Sequence, residues 1–267
     1  MPRRIFNNYL ARLHPSQMKV NIINAITLLS AGLFAACNNP QHYGSSANAD
    51  APHHLVDTAK VNGTPCNITF AGVKFTKSVN GADTLAKVTS NRLAFNVGEK
   101  KDYFSDPDGK LSNNTAPILL AEVDNKKPFT LISKVTPTFT KAGLYNAGVL
   151  YIYVNDSFYQ KFCFEQDERG KHRVVTVRTI GTSDDNNHDV VERPFVYLKL
   201  SSDTKTVGSY YSVDKKEWHL VRLYKNNYPA KIWVGLSSQC PVDKGTVSYF
   251  DEVSLAQNSV SDFRMGN

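Results

Sequence analysis

From Asn67 onward the chain breaks into short β-branched and aromatic runs closed by turn signals, and no long stretch carries a helical period. NITFAGVKF, APILLAEV, GVLYIYV, YQKFCFE, FVYLKLS and KIWVGLSS are such runs, and DPDG at 106–109, NDS at 155–157, ERG at 168–170 and KNNYP at 225–229 supply reversals between them. Many short strands joined by polar hairpins predict an antiparallel β-sandwich. About 200 residues follow the leader described below, enough for one large all-β domain, and no internal repeat interrupts them.

The segment LYIYVNDSFYQKFCFEQDERG, 150–170, defines the faces of that sandwich. Two strands turning at Asn155-Asp156 pair Tyr151 with Lys161 and Tyr153 with Tyr159, and side chains alternate between faces. Leu150, Ile152, Val154, Phe162 and Phe164 then face a core. Tyr151, Tyr153, Tyr159, Lys161, Cys163 and Glu165 take the other side. Alternation extends to FVYLKL, with Val196, Leu198 and Leu200 inward and Tyr197 and Lys199 outward. In KIWVGL, Trp233 lies opposite Ile232, Val234 and Leu236. In VVTVR, Val175 and Val177 are expected inside and Thr176 and Arg178 outside. If these strands share a sheet, one mixed face collects Tyr151, Tyr153, Tyr159, Lys161, Glu165, Thr176, Arg178, Tyr197, Lys199 and Trp233.

The opening of the chain has a different character. MKVNIINAITLLSAGLFAACNN, 18–39, sets a lysine before an apolar run that ends in small residues, the form of a secretory signal. LFAAC resembles a bacterial lipobox, which makes Cys37 the expected lipidation site, with export to the cell envelope and a lipid anchor in a membrane. Residues 1–36 are assigned to the signal segment, with Met18 a candidate start, 37–62 to a polar tether, and 63–262 to the sandwich. Loss of 1–36 removes four cations (Arg3, Arg4, Arg12, Lys19) and no acid, so the net charge falls from +7 to +3. No basic stripe or nucleic-acid motif is present, so no nucleic-acid partner is expected.

The remaining cysteines, Cys66, Cys163 and Cys240, fit no zinc spacing, and Cys163 reads as a small buried apolar residue. The histidines form no HxxxH or HExxH pattern, and DPDG lacks the rest of a calcium loop. No metal or cofactor is implied. Gly148 and Gly235 read as close-packing positions.

YNAGVLYIYVNDSFYQKFCFE, VVTVRTIGTSDD, YYSVDKKEWHLVR, WVGLSSQCP and VSYFDEVSL, in this order, with DYFSDPDGKLSNNTAPILL upstream, resemble the DUF1349 family over about residues 66–260. The resemblance implies a concanavalin A-like jelly-roll β-sandwich of two antiparallel sheets, with Lys161 and Glu165 at the family's Lys and Glu positions. Four residues apart, those two point to one face roughly 13 Å from each other, too far for a direct ion pair. Such jelly rolls have a concave sheet that can hold a glycan. The favoured reading is therefore non-catalytic binding of a glycan or polysaccharide through Tyr151, Tyr153, Tyr159, Lys161, Glu165, Arg178, Tyr197, Lys199 and Trp233. Hydrolysis needs two carboxylates about 5–10 Å apart. The strand offers only Glu165, so a glycan-active enzyme, hydrolase or lyase, is the alternative, with Glu165 and an acid of the 183–185 loop such as Asp184. A structural or protein-interaction domain is the third reading.

Overall fold

The computed structural model describes residues 61–267. The proposed signal segment, the Cys37 lipidation site and nearly all of the tether lie outside the described residues. In chain order the strands are β1 (Thr64–Phe70), β2 (Val73–Val79), β3 (Ala86–Val88), β4 (Arg92–Gly98), β5 (Tyr103–Ser105) and β6 (Ser112–Asn114). They continue with β7 (Ile118–Asp124), β8 (Phe129–Pro137), β9 (Ala147–Asn155), β10 (Phe158–Gln166), β11 (His172–Ile180) and β12 (Thr182–Val190). The last are β13 (Val196–Ser202), β14 (Thr206–Ser212), β15 (His219–Lys225), β16 (Lys231–Gln239) and β17 (Gly245–Ala256). A single helical turn, α1 (Ala82–Leu85), joins β2 to β3.

Two antiparallel sheets form a jelly-roll β-sandwich. One has eight strands in the order β1-β2-β7-β16-β9-β10-β11-β12, and the other seven in the order β15-β14-β13-β8-β17-β4-β3. A separate two-stranded hairpin, β5–β6, belongs to neither sheet. The β9–β10 register is the one the alternation predicts, with Tyr151 opposite Lys161 and Tyr153 opposite Tyr159. Leu150, Ile152, Phe162, Phe164, Leu198, Leu200, Val234 and Leu236 are fully buried between the sheets. Each contributes roughly 1.5–3 kcal/mol by leaving water.

Close packing leaves two glycines no room for a side chain. A Cβ at Gly148 would sit 2.5 Å from Val135 Cγ1, and one at Gly235 would sit 2.4 Å from the Leu119 carbonyl oxygen. Cys66, Cys163 and Cys240 are free thiols.

Strand β11 departs from the expected facing. Its register sets Val177 opposite Lys161 and Val175 opposite Cys163, so these valines lie on the tyrosine side. Val174 is the valine that reaches the core. Thr176 and Arg178 therefore point between the sheets, beside Phe162 and Gln160. The run VVTV has valines on both parities, and cross-strand register decides between them. Arg178 is accommodated by lying over the Tyr224 ring, 4.6 Å from its centroid.

Candidate functional site

The outer face of the eight-stranded sheet gathers Tyr151 and Tyr153 from β9, Tyr159, Lys161, Cys163 and Glu165 from β10, Val175 and Val177 from β11, and Trp233 from β16. This face is divided in two. Over its Asn155-Asp156 end lies the β5–β6 hairpin. The Tyr103 ring meets Tyr151, Tyr153 and Tyr159 edge-on or nearly so, with centroids 6.2, 6.3 and 5.5 Å away. Its hydroxyl donates to Asp156 Oδ1 at 2.9 Å, as the Tyr153 hydroxyl does at 2.5 Å. Tyr151, Tyr153 and Tyr159 are at most 1% exposed, so they form a sealed aromatic core and not an open stacking surface. Trp233 is also buried, with Lys77 and Lys231 ammonium groups 5.2 and 5.5 Å from its ring centroid.

Beyond the hairpin the face opens into a cavity of about 430 Å³. Its floor is Lys161, Glu165, Val175 and Val177; Asp185 and Asn187 stand on the β12 side. Asp102, Phe104, Leu111 and Asn113 form the hairpin wall, and Tyr145, Glu168 and Val242 border the remainder. A depression of about 540 Å³ beside Phe139, Arg169 and His172 is wider, but it is shallow and no carboxylate lines it. The carboxylates therefore lie with the smaller cavity.

Its floor is a connected network. Lys161 Nζ donates to Gln239 Oε1 at 3.2 Å and meets Asp102 Oδ1 at 3.4 Å. Gln239 Nε2 donates to Glu165 Oε2 at 2.9 Å and to the Tyr145 carbonyl at 3.1 Å. Lys161 and Glu165 are thus joined through one amide of β16, not to each other. Arg178 is no partner of Glu165: the guanidinium opposite Glu165 belongs to Arg173, which grips Asp167 through Nε and Nη2 at 3.0 and 2.9 Å.

Burial governs the protonation states. The Glu165 carboxyl is pushed up to about 8 by burial, with Asp185, Asp102 and Asp167 adding to the push and Lys161 opposing it. For Lys161 burial disfavours the ammonium, but Asp102 and its other neighbours outweigh that and hold it above its ordinary value. Burial raises Asp185 as well, moderated by Lys161. At neutral pH the floor therefore presents a cationic donor beside a protonated acid. Tyr145 at the rim has φ 62, a left-handed conformation that a large side chain adopts at a cost of order 1 kcal/mol. Its N–H donates to the Gln166 carbonyl at 2.8 Å, which holds the exposed ring at the cavity mouth.

Three further expected site residues lie elsewhere. Tyr197 and Lys199 are on β13, in the other sheet. The Tyr197 hydroxyl donates to Glu252 Oε1 at 2.9 Å, and Lys199 Nζ lies 3.6 Å from the Trp218 ring centroid and donates to the Gly266 carbonyl at 2.6 Å. The alternation was right within β13, but hydrophobic pattern does not say which sheet a strand joins. Asp184 lies in strand β12 rather than in a loop, and its carboxylate pairs with Arg222. Asp185, one residue on, takes the cavity side.

Residues 79–258 match the sequence profile described as "Protein of unknown function (DUF1349)". The chain belongs to the DUF1349 family. A functionally unknown protein from Saccharomyces cerevisiae shares its fold with a TM-score of 0.62 at 21% identity, over 69% of this chain and 97% of the yeast chain. The Bacteroides ovatus xyloglucan PUL GH43B gives 0.52 at 11% identity, over 78% of this chain and 42% of its own. GH43 BlXynB from Bacillus licheniformis gives 0.51 at 14%, over 66% and 35%. This DUF1349 chain therefore spans well under half of either GH43 protein, and at these identities the likeness is one of fold. No curated protein sequence matches the chain.

Proposed function

We propose that this DUF1349 domain binds a carbohydrate in the cavity over Lys161 and Glu165, without covalent chemistry. The observation that carries the reading is the buried Lys161–Gln239–Glu165 network at the base of a cavity bordered by the exposed Tyr145 ring and by Phe104. Buried polar groups that face a cavity gain from a ligand that supplies hydroxyls, and rings beside it suit the apolar faces of sugars. The two GH43 proteins that share the fold add support, since one comes from a xyloglucan PUL. The leader's signal form and its lipobox-like LFAAC extend the proposal to an exported protein anchored through Cys37, presenting the domain to glycans at the cell envelope. The full chain, applied to an array of plant and microbial polysaccharides, is expected to retain at least one. Asp185→Asn and Tyr145→Ala are expected to weaken that binding at least about tenfold, or 1.4 kcal/mol. Silence of the wild type across the array sinks the reading, and undiminished binding by both variants moves the site elsewhere.

One observation favours a second reading, a glycan-active enzyme: a protonated Glu165 and a second carboxylate, Asp185, open into the same cavity. New reducing ends released from a bound glycan, lost in Glu165→Gln while binding persists, would establish it.

A further inference from the structure

We propose that the cavity takes the end of a glycan chain and excludes its interior. The proposal deepens the carbohydrate reading and rests on it. A ligand lying across this face in a through-groove would run from β7 over β16, β9, β10 and β11 to the edge strand β12. The first part of that path is covered. Ile118 and Leu120 of β7 and Ser237 of β16 are fully buried on this side, and Val79 is 2% exposed.

The cover is built from the segments leading into and out of the β5–β6 hairpin, and it is fixed at both margins. On the β16 side Lys101 and Cys240 exchange backbone hydrogen bonds of 3.1 and 2.8 Å. On the β2 side Asn80 Nδ2 donates to the Asn114 and Ala116 carbonyls at 2.8 and 2.9 Å. Within the cover, the Thr115 and Ala116 N–H groups donate to the Asp102 carbonyl at 2.7 and 3.0 Å.

Along the strands the hairpin also closes the Asn155-Asp156 end. Tyr103 fills the space above Tyr151, Tyr153 and Tyr159, and the Ser105 N–H donates to Ser183 Oγ of β12 at 2.9 Å. What remains is bordered by exposed residues, Asp185 and Asn187 on the edge strand and Tyr145, Glu168 and Val242 at the Glu165 end. The closed end holds Lys161 and Gln239, each 2% exposed, with Glu165 at 8%. A terminal sugar carries a hydroxyl where an interior one carries the next glycosidic bond. That extra hydroxyl is the group a buried ammonium, amide and carboxyl can engage, and a continuing chain would run into the hairpin. The volume, about 430 Å³, is near the small end of the ~300–1,000 Å³ range of ligand pockets.

The test uses the full chain and four neutral polysaccharides: xylan, xyloglucan, β-1,3-glucan and mannan. Each competes against itself immobilised, first intact and then after partial acid hydrolysis. For an end-binder, shortening the chains about tenfold raises inhibition per gram about tenfold, because ends per gram rise equally. Unchanged or weaker inhibition per gram by the hydrolysate overturns end recognition and leaves the carbohydrate reading standing. Failure to bind any of the four, intact or hydrolysed, overturns both. Asn187→Trp, which places a ring at the mouth on a strand position that tolerates it, is expected to abolish binding at an unchanged melting temperature. Full binding by a folded Asn187→Trp protein also overturns the proposal.

Discussion

Glu165→Gln separates the charge of the cavity floor from its shape. Burial holds the wild-type carboxyl at about 8 against an ordinary 4.5. Through the window from 4.5 to 8 the folded protein keeps a proton that the unfolded chain gives up, so stability falls as pH rises and levels off above 8. From pH 5 to pH 9 the difference between the two ionisation curves removes about 4 kcal/mol, at 1.36 kcal/mol per pKa unit. Glutamine retains the volume and an acceptor for Gln239 Nε2, as the protonated acid does, and it cannot ionise. Wild type and variant should therefore melt close together at pH 5. At pH 9 the variant should be more stable by about 4 kcal/mol, roughly 8–16 °C in melting temperature for a chain of this size. Thermal melts and urea titrations at half-unit pH steps measure the gap. Curves that stay parallel within about 1 kcal/mol from pH 5 to pH 9 would refute the picture of a desolvated, protonated Glu165.

Two further outcomes follow from the packing. Tyr103→Ala removes a ring that is 1% exposed and touches three tyrosines, so it should cost about 3–5 kcal/mol; hydrogen exchange should speed up in β5 and β6 well before β8 and β17, and uniform acceleration would show that the hairpin is no separate unit. Gly235→Ala drives a Cβ into the Leu119 carbonyl and should cost about 3 kcal/mol in a urea titration, whereas Gly170→Ala, with open space around it but φ +71, should cost only about 1 kcal/mol.

The fold was legible because a strand's own alternation reports which side meets the core. Leu150, Ile152, Phe162, Phe164, Leu198 and Val234 all landed where a period of two puts them. The β9–β10 register was legible too, because its turn is short and its partners are adjacent in sequence. Failure began where position depends on distant partners. Val174 and Val177 are chemically alike, and only pairing with Phe164 and Lys161 sends one inward and the other outward. Tyr197 and Lys199 had the right parity in a strand of the other sheet, because a repeat of two carries no information about which sheet a strand enters.

The candidate site was partly readable for a related reason. Lys161 and Glu165 alternate with core residues on one strand, so their common face follows from the sequence. Continuing the parity of Trp233 through Gly235 and Ser237 reaches Gln239, the residue that joins them, and that signal was present three residues past the end of the run KIWVGL. Asp185 and Asp184 differ by one position, and the β11–β12 register, which sets Asp185 opposite Val177, chooses the cavity residue. The walls carried no such signal. Asp102, Phe104 and Leu111 belong to a hairpin whose own pattern is unremarkable, and its seat over the tyrosines is fixed by hydrogen bonds to Asp156, Ser183 and Asn80, up to 78 residues away in sequence. A sheet face rich in tyrosine reads as a ligand surface or as a buried layer with equal ease. Here a second layer of protein over it makes the difference, and the same layer turns an open groove into a cavity walled at the tyrosine end.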